Sequence, residues 1–244
     1  MLWQDWAVGH KNNRFSCNFK LWNSKVSNVE LEGVLWGTKE EFDEIMRELP
    51  TAILRATEVD KRMSFNYLDF VAHSVGVNDV LQLRDPRSGP SGERRNFRNK
   101  SQLLFGILNM EGIADLLSLA NEDIPGSGAD SNYIEITPLG GVIEFPLNGR
   151  SSAFSHRSAI GVIQYGGYWS DNESKSPMVN HQRRFRRTME QYWGNHAFYN
   201  YKDNELSNWE EAYWGETSVE KLVAVKCQYD NDNMFSSMRQ SLKC

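Results

Sequence analysis

Apolar and polar residues alternate through the first part of the chain. In "RFSCNFKLWNSKVSNVELEGVLWG" (14–37) the alternation runs on both sides of a turn-like "NSKVSN", which predicts a β-hairpin. The period then changes. In "TKEEFDEIMRELP" (38–50) Phe42, Ile45, Met46 and Leu49 share one helical face. Thr38 suits the N-cap, Glu40 and Glu41 the first turn, and Pro50 the stop. "ILRATEVD" (53–60) predicts another strand, and "MSFNYLDFVAHSVG" (63–76) is apolar without deciding between the two periods. The amino terminus, "MLWQDWAVGHKNNRFSCNF", reads as strand sequence entered halfway.

"LRDPRSGPSGERRNFRNK" (83–100) is a surface loop rather than a domain linker, because "FRNKSQLLFGIL" resumes core-like sequence at once. "EGIADLLSLANED" (111–123) is a second amphipathic helix, and "IPGSGADSN" (124–132) a loop. "YIEITPLGGVIEF" and "IGVIQYGGYW" are the clearest strands, rich in β-branched and aromatic residues. "NHQRRFRRTMEQYWG" (180–194) is helical. "AFYNYKD" (197–203) reads as a strand, with Phe198 and Asn200 on one face and Ala197, Tyr199 and Tyr201 on the other. "WEEAYWGETSVEKLVAVKCQYD" (209–230) is one helix, or two broken near Gly215. The mixture predicts an α+β fold with an antiparallel β-sheet and flanking helices.

Composition narrows the classes. The 244 residues carry 24% charged side chains and a formal net charge of -5, which argues against a nucleic-acid binder. The longest apolar runs are too short to span a bilayer, and the first residues lack the basic-then-apolar order of a signal peptide. Cys17, Cys227 and Cys244 show no metal-ligand spacing and are read as free thiols rather than a disulfide framework. The five histidines form no metal-binding pair. Arg183, Arg184, Arg186 and Arg187 spread around more than half of a helix, which suits a solvated face or contact with acidic surface. Asn99 and Asn172 lie in N-x-S sequons, and Asn172, in the polar "SDNESKS" loop, is the better glycosylation candidate.

Three stretches go further together. They are "GGVIEFPLNGRSSAFSHR" (140–157), "IGVIQYGGYW" (160–169) and "AFYNYKDNELSNWEEAYWGETSVEKLVAVKCQYDNDNMFSSMRQSL" (197–242). In order and spacing they resemble the berberine-bridge-enzyme-like branch of the FAD-linked oxidases, a PCMH-type flavoprotein family. "EGVLWGTKEEFDEIM" and "NFRNKSQLL" are weaker echoes of the same family. There are departures: Asp232 stands where proline is usual, Val162 where many members have lysine, and Phe198 and Tyr199 swap the usual order.

The resemblance implies the substrate domain of the vanillyl-alcohol-oxidase-like fold over residues 1–190, and over 191–244 a berberine-like segment that packs on an FAD domain. It implies oxidation of an alcohol, sugar or alkaloid-like small molecule by hydride transfer to FAD, in a secreted protein. The glycine-rich loops that hold the cofactor pyrophosphate in the family's amino-terminal half have no counterpart here, so the chain reads as a carboxyl-terminal half. It is not expected to hold FAD alone; "PGSGAD" (125–130) is the only stretch suggesting a cradle, and it reads as a surface loop. Its partners are then a small-molecule substrate and an FAD-binding amino-terminal domain, with no nucleic acid and no membrane.

By matching position, Asn200 and Tyr199 are cofactor-side residues, and Tyr201 and Gln164 are catalytic. An amide can only orient substrate, which leaves Tyr201 as the candidate for taking a hydroxyl proton, although a phenol near pKa ~10 needs help to do so. The His156–Arg157 pair is as well explained by a structural role. Two other readings stay open: a truncated, inactive remnant, and a non-redox small-molecule or carbohydrate-binding module. Substrate choice is expected to reside in loops such as 84–96.

Overall fold

The computed structural model describes residues 2–10, 12–23, 29–56, 61–77, 80–81, 96–125, 132–144, 152–169, 172–236 and 240–244. Two compact units are present: Met1–Pro50 with Asn96–Cys244, and Thr51–Arg95. Residues 191–244 thus share a unit with the sheet. The smaller unit contains α3 (Thr51–Ala56) and α4 (Tyr67–Ser74), the latter capped by the Asn66 side chain on the Asp69 amide. Residues 53–56 of the expected strand 53–60 are helical, and 57–60 lie outside the described residues.

The larger unit opens with α1 (Leu2–Gly9), followed by β1 (Phe15–Trp22), β2 (Val29–Leu35) and α2 (Lys39–Glu48). After the smaller unit come β3 (Asn96–Leu104), α5 (Met110–Ala120), β4 (Asn132–Pro138), β5 (Gly161–Trp169), α6 (Asn172–Trp193), α7 (Trp209–Trp214) and α8 (Glu216–Tyr229). The five strands form one antiparallel sheet in the order β2-β1-β4-β5-β3. The α+β expectation holds, with "IGVIQYGGYW" on an interior strand. The β1–β2 hairpin and the Thr38 capping box with Glu41 also form as anticipated. The hairpin tip at 24–28, the loop 84–95 and most of "PGSGAD" lie outside the described residues.

Alternation on the strands sends Leu21, Ile134, Ile163 and Tyr165 to one face, where α5 and α6 cover them with Leu116, Phe185, Met189 and Trp193. Polar groups inside this layer bond to one another and to backbone carbonyls, although Gln182 Oε1 and His181 Nδ1 have no hydrogen-bond partner among the described residues. The Tyr165 hydroxyl donates to Gln102 Oε1 at 2.6 Å, and Gln182 Nε2 donates to the Arg98 and Tyr165 carbonyls. Gly167 permits the close approach of α6: a Cβ there would lie 2.5 Å from Met178 Sδ and 2.7 Å from Gln182 Nε2.

Several expectations are overturned. Residues 2–9 form α1 rather than a strand; Trp3, Trp6 and His10 follow a helical spacing, and Trp3 packs on Phe19. Helix α6 begins at Asn172, so the sequon there opens a helix instead of sitting in a loop, and Pro177 lies inside the helix. Cys227 and Cys244 are joined in a disulfide, bringing the chain end back onto α8. Only Cys17 is a free thiol; it is buried, and burial pushes its pKa up to about 11.

The largest correction concerns "AFYNYKD", which is not a strand. The segment follows the outer edge of β3, with the Leu103 amide donating to the His196 carbonyl at 3.0 Å and the Phe198 amide to Ser101 Oγ at 3.0 Å. It then turns, as the Tyr201 amide donates to the Phe198 carbonyl at 3.0 Å. The turn cancels the strand alternation, and Asn200 is exposed. Beyond it, the 209–230 run breaks at Gly215 into two helices as one of the expected alternatives had it, with φ at 68°.

An ionic cluster fastens this segment. Buried Lys100 pairs with buried Asp203, and Lys100, Arg98 and Arg183 all reach Glu205. The Asp203 amide donates to the Tyr213 hydroxyl at 2.7 Å, and Gln240 Nε2 to the Asp203 carbonyl at 2.7 Å. Arg184 pairs with Glu122 and Arg186 with Glu190, so three of the four arginines on α6 meet carboxylates. Among the described residues no helix is long and apolar enough to cross a membrane, and no cluster of metal ligands occurs.

Arg183, with Arg98 and Lys100, holds the Glu205 carboxyl well below the usual carboxylate range. The folded state therefore binds that proton less readily than the unfolded chain. Its contribution to stability is complete above about pH 4.5 and is lost as the pH falls. Urea titrations at about pH 6 and about pH 3 should show a smaller acid-induced loss of stability in Glu205→Gln than in the parent. Equal losses in the two proteins would show that Glu205 carries no such linkage.

Candidate functional site

The sheet face opposite α5 and α6 carries the polar residues. On β5 it presents Val162, Gln164, Gly166 and Tyr168; on β4 Tyr133, Glu135 and Thr137; on β1 Asn18, Lys20 and Trp22. The register sets these side by side. Glu135 stands opposite both Gln164 and Lys20, and Tyr133 opposite both Gly166 and Trp22. Cross-strand neighbours of this kind are in contact range.

Gln164 is buried, and its Nε2 donates to the Tyr133 hydroxyl at 2.7 Å. That bond leaves the Gln164 Oε1 as the free end of the amide. The Tyr133 ring lies across β5 because position 166 is glycine: a Cβ there would stand 2.1 Å from the ring. Trp22, at 4.9 Å between centroids, and Tyr168, at 6.1 Å, flank it. Burial, then the neighbouring Tyr168, Glu135 and Tyr201, push the Tyr133 phenol far above its ordinary value.

Glu135 accepts from Asn18 Nδ2 at 2.8 Å on Oε1, and Lys20 Nζ stands 3.9 Å from the same oxygen. Lys20 also binds Glu32 at 2.9 Å. Burial opposes its charge, but Glu32 and Glu135 outweigh it and raise the Lys20 pKa. Sequence reasoning missed Glu135, Asn18, Lys20 and Tyr133. The alternation of "NYIEITP" already put Tyr133 and Glu135 on one face; the pairing of β1, β4 and β5 was needed to bring them to Gln164.

Of the residues singled out in sequence, Tyr201 joins this cluster and two do not. Tyr201 is half-buried, packs edge-on against Phe198 at 5.7 Å, and feels the Glu135 charge. Burial, with Glu135 adding to it, raises its phenol pKa. Phe198 belongs to the apolar patch of Leu103, Val162 and Phe154 at the end of the same face. Tyr199 stacks on Trp214 at 4.7 Å and stays exposed, and Asn200 sits exposed on the turn; their neighbours are Phe198 and Trp214 rather than Gln164.

His156 and Arg157 are structural. His156 Nε2 lies 3.1 Å from the Ala212 carbonyl, while burial and the adjacent His196 lower its pKa. Arg157 donates to the Phe154 and Ile143 carbonyls. Asn99 is an interior residue of β3, half-buried, a poor place for a glycan. Apart from this cluster, a concavity of about 300 Å³ lies beneath Gly140 and Gly141, lined by Trp6, His10 and Phe15.

Residues 197–243 match the family model "Berberine and berberine like". The fold is shared with solved structures. Physcomitrella patens BBE-like 1 is 22% identical with a TM-score of 0.79, over 98% of this chain and 49% of that one. BBE-like 28 from Arabidopsis thaliana is 18% identical with a TM-score of 0.77, over 99% and 53%. A berberine bridge enzyme variant described as a reticuline dehydrogenase is 17% identical with a TM-score of 0.82, over 99% and 51%. The chain thus spans about half the length of the structures it matches. No curated protein matches the sequence. Residues 197–243 are thus similar to the berberine-like family, and the fold is the one found in berberine-bridge-enzyme-like proteins.

The contact between Gly166 and Tyr133 gives a direct test. Gly166→Ala should destabilise the protein by about 1–3 kcal/mol in urea unfolding, because the ring or the strand must shift. In a Tyr133→Ala background the same change should do much less, which a double-mutant cycle measures. Additive effects would mean that the ring does not occupy the space above Gly166.

Proposed function

We propose that this chain supplies the substrate-binding and carboxyl-terminal half of an FAD-dependent oxidoreductase acting on an alcohol, sugar or alkaloid-like small molecule. The observation that carries the reading is the convergence of Gln164, Tyr133 and Glu135 on one sheet face, with Tyr201 near enough to feel the Glu135 charge, beside a berberine-like segment. Two names among the structural neighbours point the same way: one is a reticuline dehydrogenase and another a berberine bridge enzyme in complex with (S)-reticuline.

The residues fit the ring end of a flavin better than its phosphate end. Asn18 Oδ1 and Asn99 Oδ1 are buried, unpartnered acceptors on the polar face, and Asn200 offers an exposed amide beside the Tyr199–Trp214 stack. No described helix opens on a glycine-rich loop that could wrap a pyrophosphate. Asn200 and Tyr199 are accordingly assigned to the ring, and the phosphates to an FAD-binding domain. Helix α8 has no buried residue, and Val225, Tyr229, Met234 and Phe235 are largely exposed. This is the surface we assign to that domain, since an apolar patch of this kind normally has a partner.

A bound flavin would accept the hydride from the substrate carbon. The chain's own residues bind and orient. Gln164 Nε2 is held by the Tyr133 hydroxyl, so the amide is fixed on this face and its Oε1 accepts from a donor group of the substrate other than the hydroxyl that reacts. Tyr201, its phenol pKa raised, donates to the substrate oxygen. Trp22, Tyr133 and Tyr168 offer a wall of rings against which an apolar or sugar face can pack. Assignment of the protein to a secreted compartment rests on the same family likeness.

Two measurements test this reading. FAD titrated into the 244-residue chain should show no saturable quenching of flavin fluorescence at micromolar concentration; stoichiometric binding would remove the need for a separate flavin half. Joined to a flavin-binding half from a structural relative, the chain should support anaerobic bleaching of the flavin by at least one secondary alcohol, sugar or benzylisoquinoline. If no compound in such a panel bleaches a flavin that is demonstrably bound, the oxidase reading fails.

A further inference from the structure

Oxidising a hydroxyl group to a carbonyl releases a proton, and the polar face offers few places for it. Burial raises the phenol pKa of both Tyr201 and Tyr133, which disfavours the phenolate either would need to take it. Gln164 is an amide and Lys20 a cation paired to Glu32. Glu135 is the only carboxylate on the interior strands β4 and β5. It stands directly opposite Gln164, the residue that orients the alcohol in the reading above. Its Oε1 is fixed by Asn18 at 2.8 Å, with Lys20 beyond at 3.9 Å, which leaves Oε2 without a hydrogen-bond donor among the described residues. The side chain is 19% exposed, open enough to be reached and sheltered enough to be held.

We propose that Glu135 is the general base of this site, taking the substrate hydroxyl proton on Oε2 while Asn18 and Lys20 hold Oε1. The assignment rests on the oxidase reading. In the step, the O–H bond breaks and its proton passes to Glu135. The carbon's C–H bond breaks, and its electron pair leaves as hydride to the oxidised flavin. The oxygen's electron pair closes the C=O bond. Glu135, now neutral, returns the proton to water after the carbonyl product departs. Asn18 is a positioning residue, because it fixes the carboxylate without meeting the substrate. The charged and titratable groups around Glu135 are Lys20, Glu30 and Glu32 from the β1–β2 side, with Tyr133, Tyr168 and Tyr201 over the sheet.

Glu135→Gln keeps the shape and the acceptor for Asn18 while removing the base. In the flavin-loaded assembly it should slow anaerobic flavin reduction by about 100-fold or more with KM little changed. A second readout needs no flavin. In the 244-residue chain, the phenols nearest Glu135 should ionise at lower pH in Glu135→Gln by roughly half a unit or more. This is seen as a difference in tyrosinate absorbance, and Tyr201→Phe should remove part of the shifted signal. Flavin reduction within about threefold of the parent, or phenol titrations that superimpose, would overturn the assignment. A parent protein that no alcohol reduces rejects the oxidase reading and Glu135's role together. Parent activity that survives Glu135→Gln rejects only the role.

Discussion

The pairing of Lys100 with Asp203 is the contact on which the site depends. Both side chains are nearly fully buried, one on the outermost strand β3 and the other just past the turn at Tyr199–Asn200. A buried ion pair is seldom a large net stabiliser, because desolvation offsets the attraction, but losing one partner leaves an uncompensated charge. Its effect is therefore one of placement. Asp203 also receives Gln240 on its carbonyl and turns its amide to Tyr213, so one residue ties together β3, α7 and the last residues of the chain. Tyr201 lies two positions before this anchor, and its amide is tied to the Phe198 carbonyl.

The sheet separates two tasks by its two faces. One face is closed by α5 and α6 with aliphatic and aromatic side chains, and within it the Tyr165 hydroxyl pairs with Gln102. The other collects asparagine, glutamine, tyrosine, lysine and glutamate in adjacent rows. Because antiparallel neighbours are fixed by register, the spacing among Lys20, Glu135 and Gln164 is set by backbone hydrogen bonds rather than by mobile loops. Groups meant to meet a reacting atom are well served by such a frame.

Much of this was legible in the sequence, for identifiable reasons. The β1–β2 hairpin, β5, the α2 cap and the Gly215 break all follow from local period and local chemistry. The failures were of another kind. "AFYNYKD" alternates like a strand, yet tertiary contacts with β3 and Trp214 decide its path and turn it at Asn200. Helix α1 is too short for its period to outweigh the aromatic residues that suggested a strand. Gln164 and Tyr201 were singled out through motif resemblance, whereas Glu135 carries no motif. Its neighbours Lys20 and Gln164 are distant in sequence, and only the strand order makes them adjacent. The disulfide was missed because spacing says nothing about how a chain end folds back on a helix.

Gly166 and Gly167 are adjacent on β5 but face opposite layers, one under the Tyr133 ring and the other under α6. This makes the pair a point of shared history for two otherwise independent regions. A lineage that replaces Tyr133 with a smaller residue frees position 166 to drift, while position 167 stays locked for as long as α6 keeps Met178 and Gln182. Divergence on the polar face should therefore leave a trace as correlated change between 133 and 166, with 167 silent. The aromatic wall can be remodelled, and new small molecules admitted, without disturbing the packing that keeps the sheet folded.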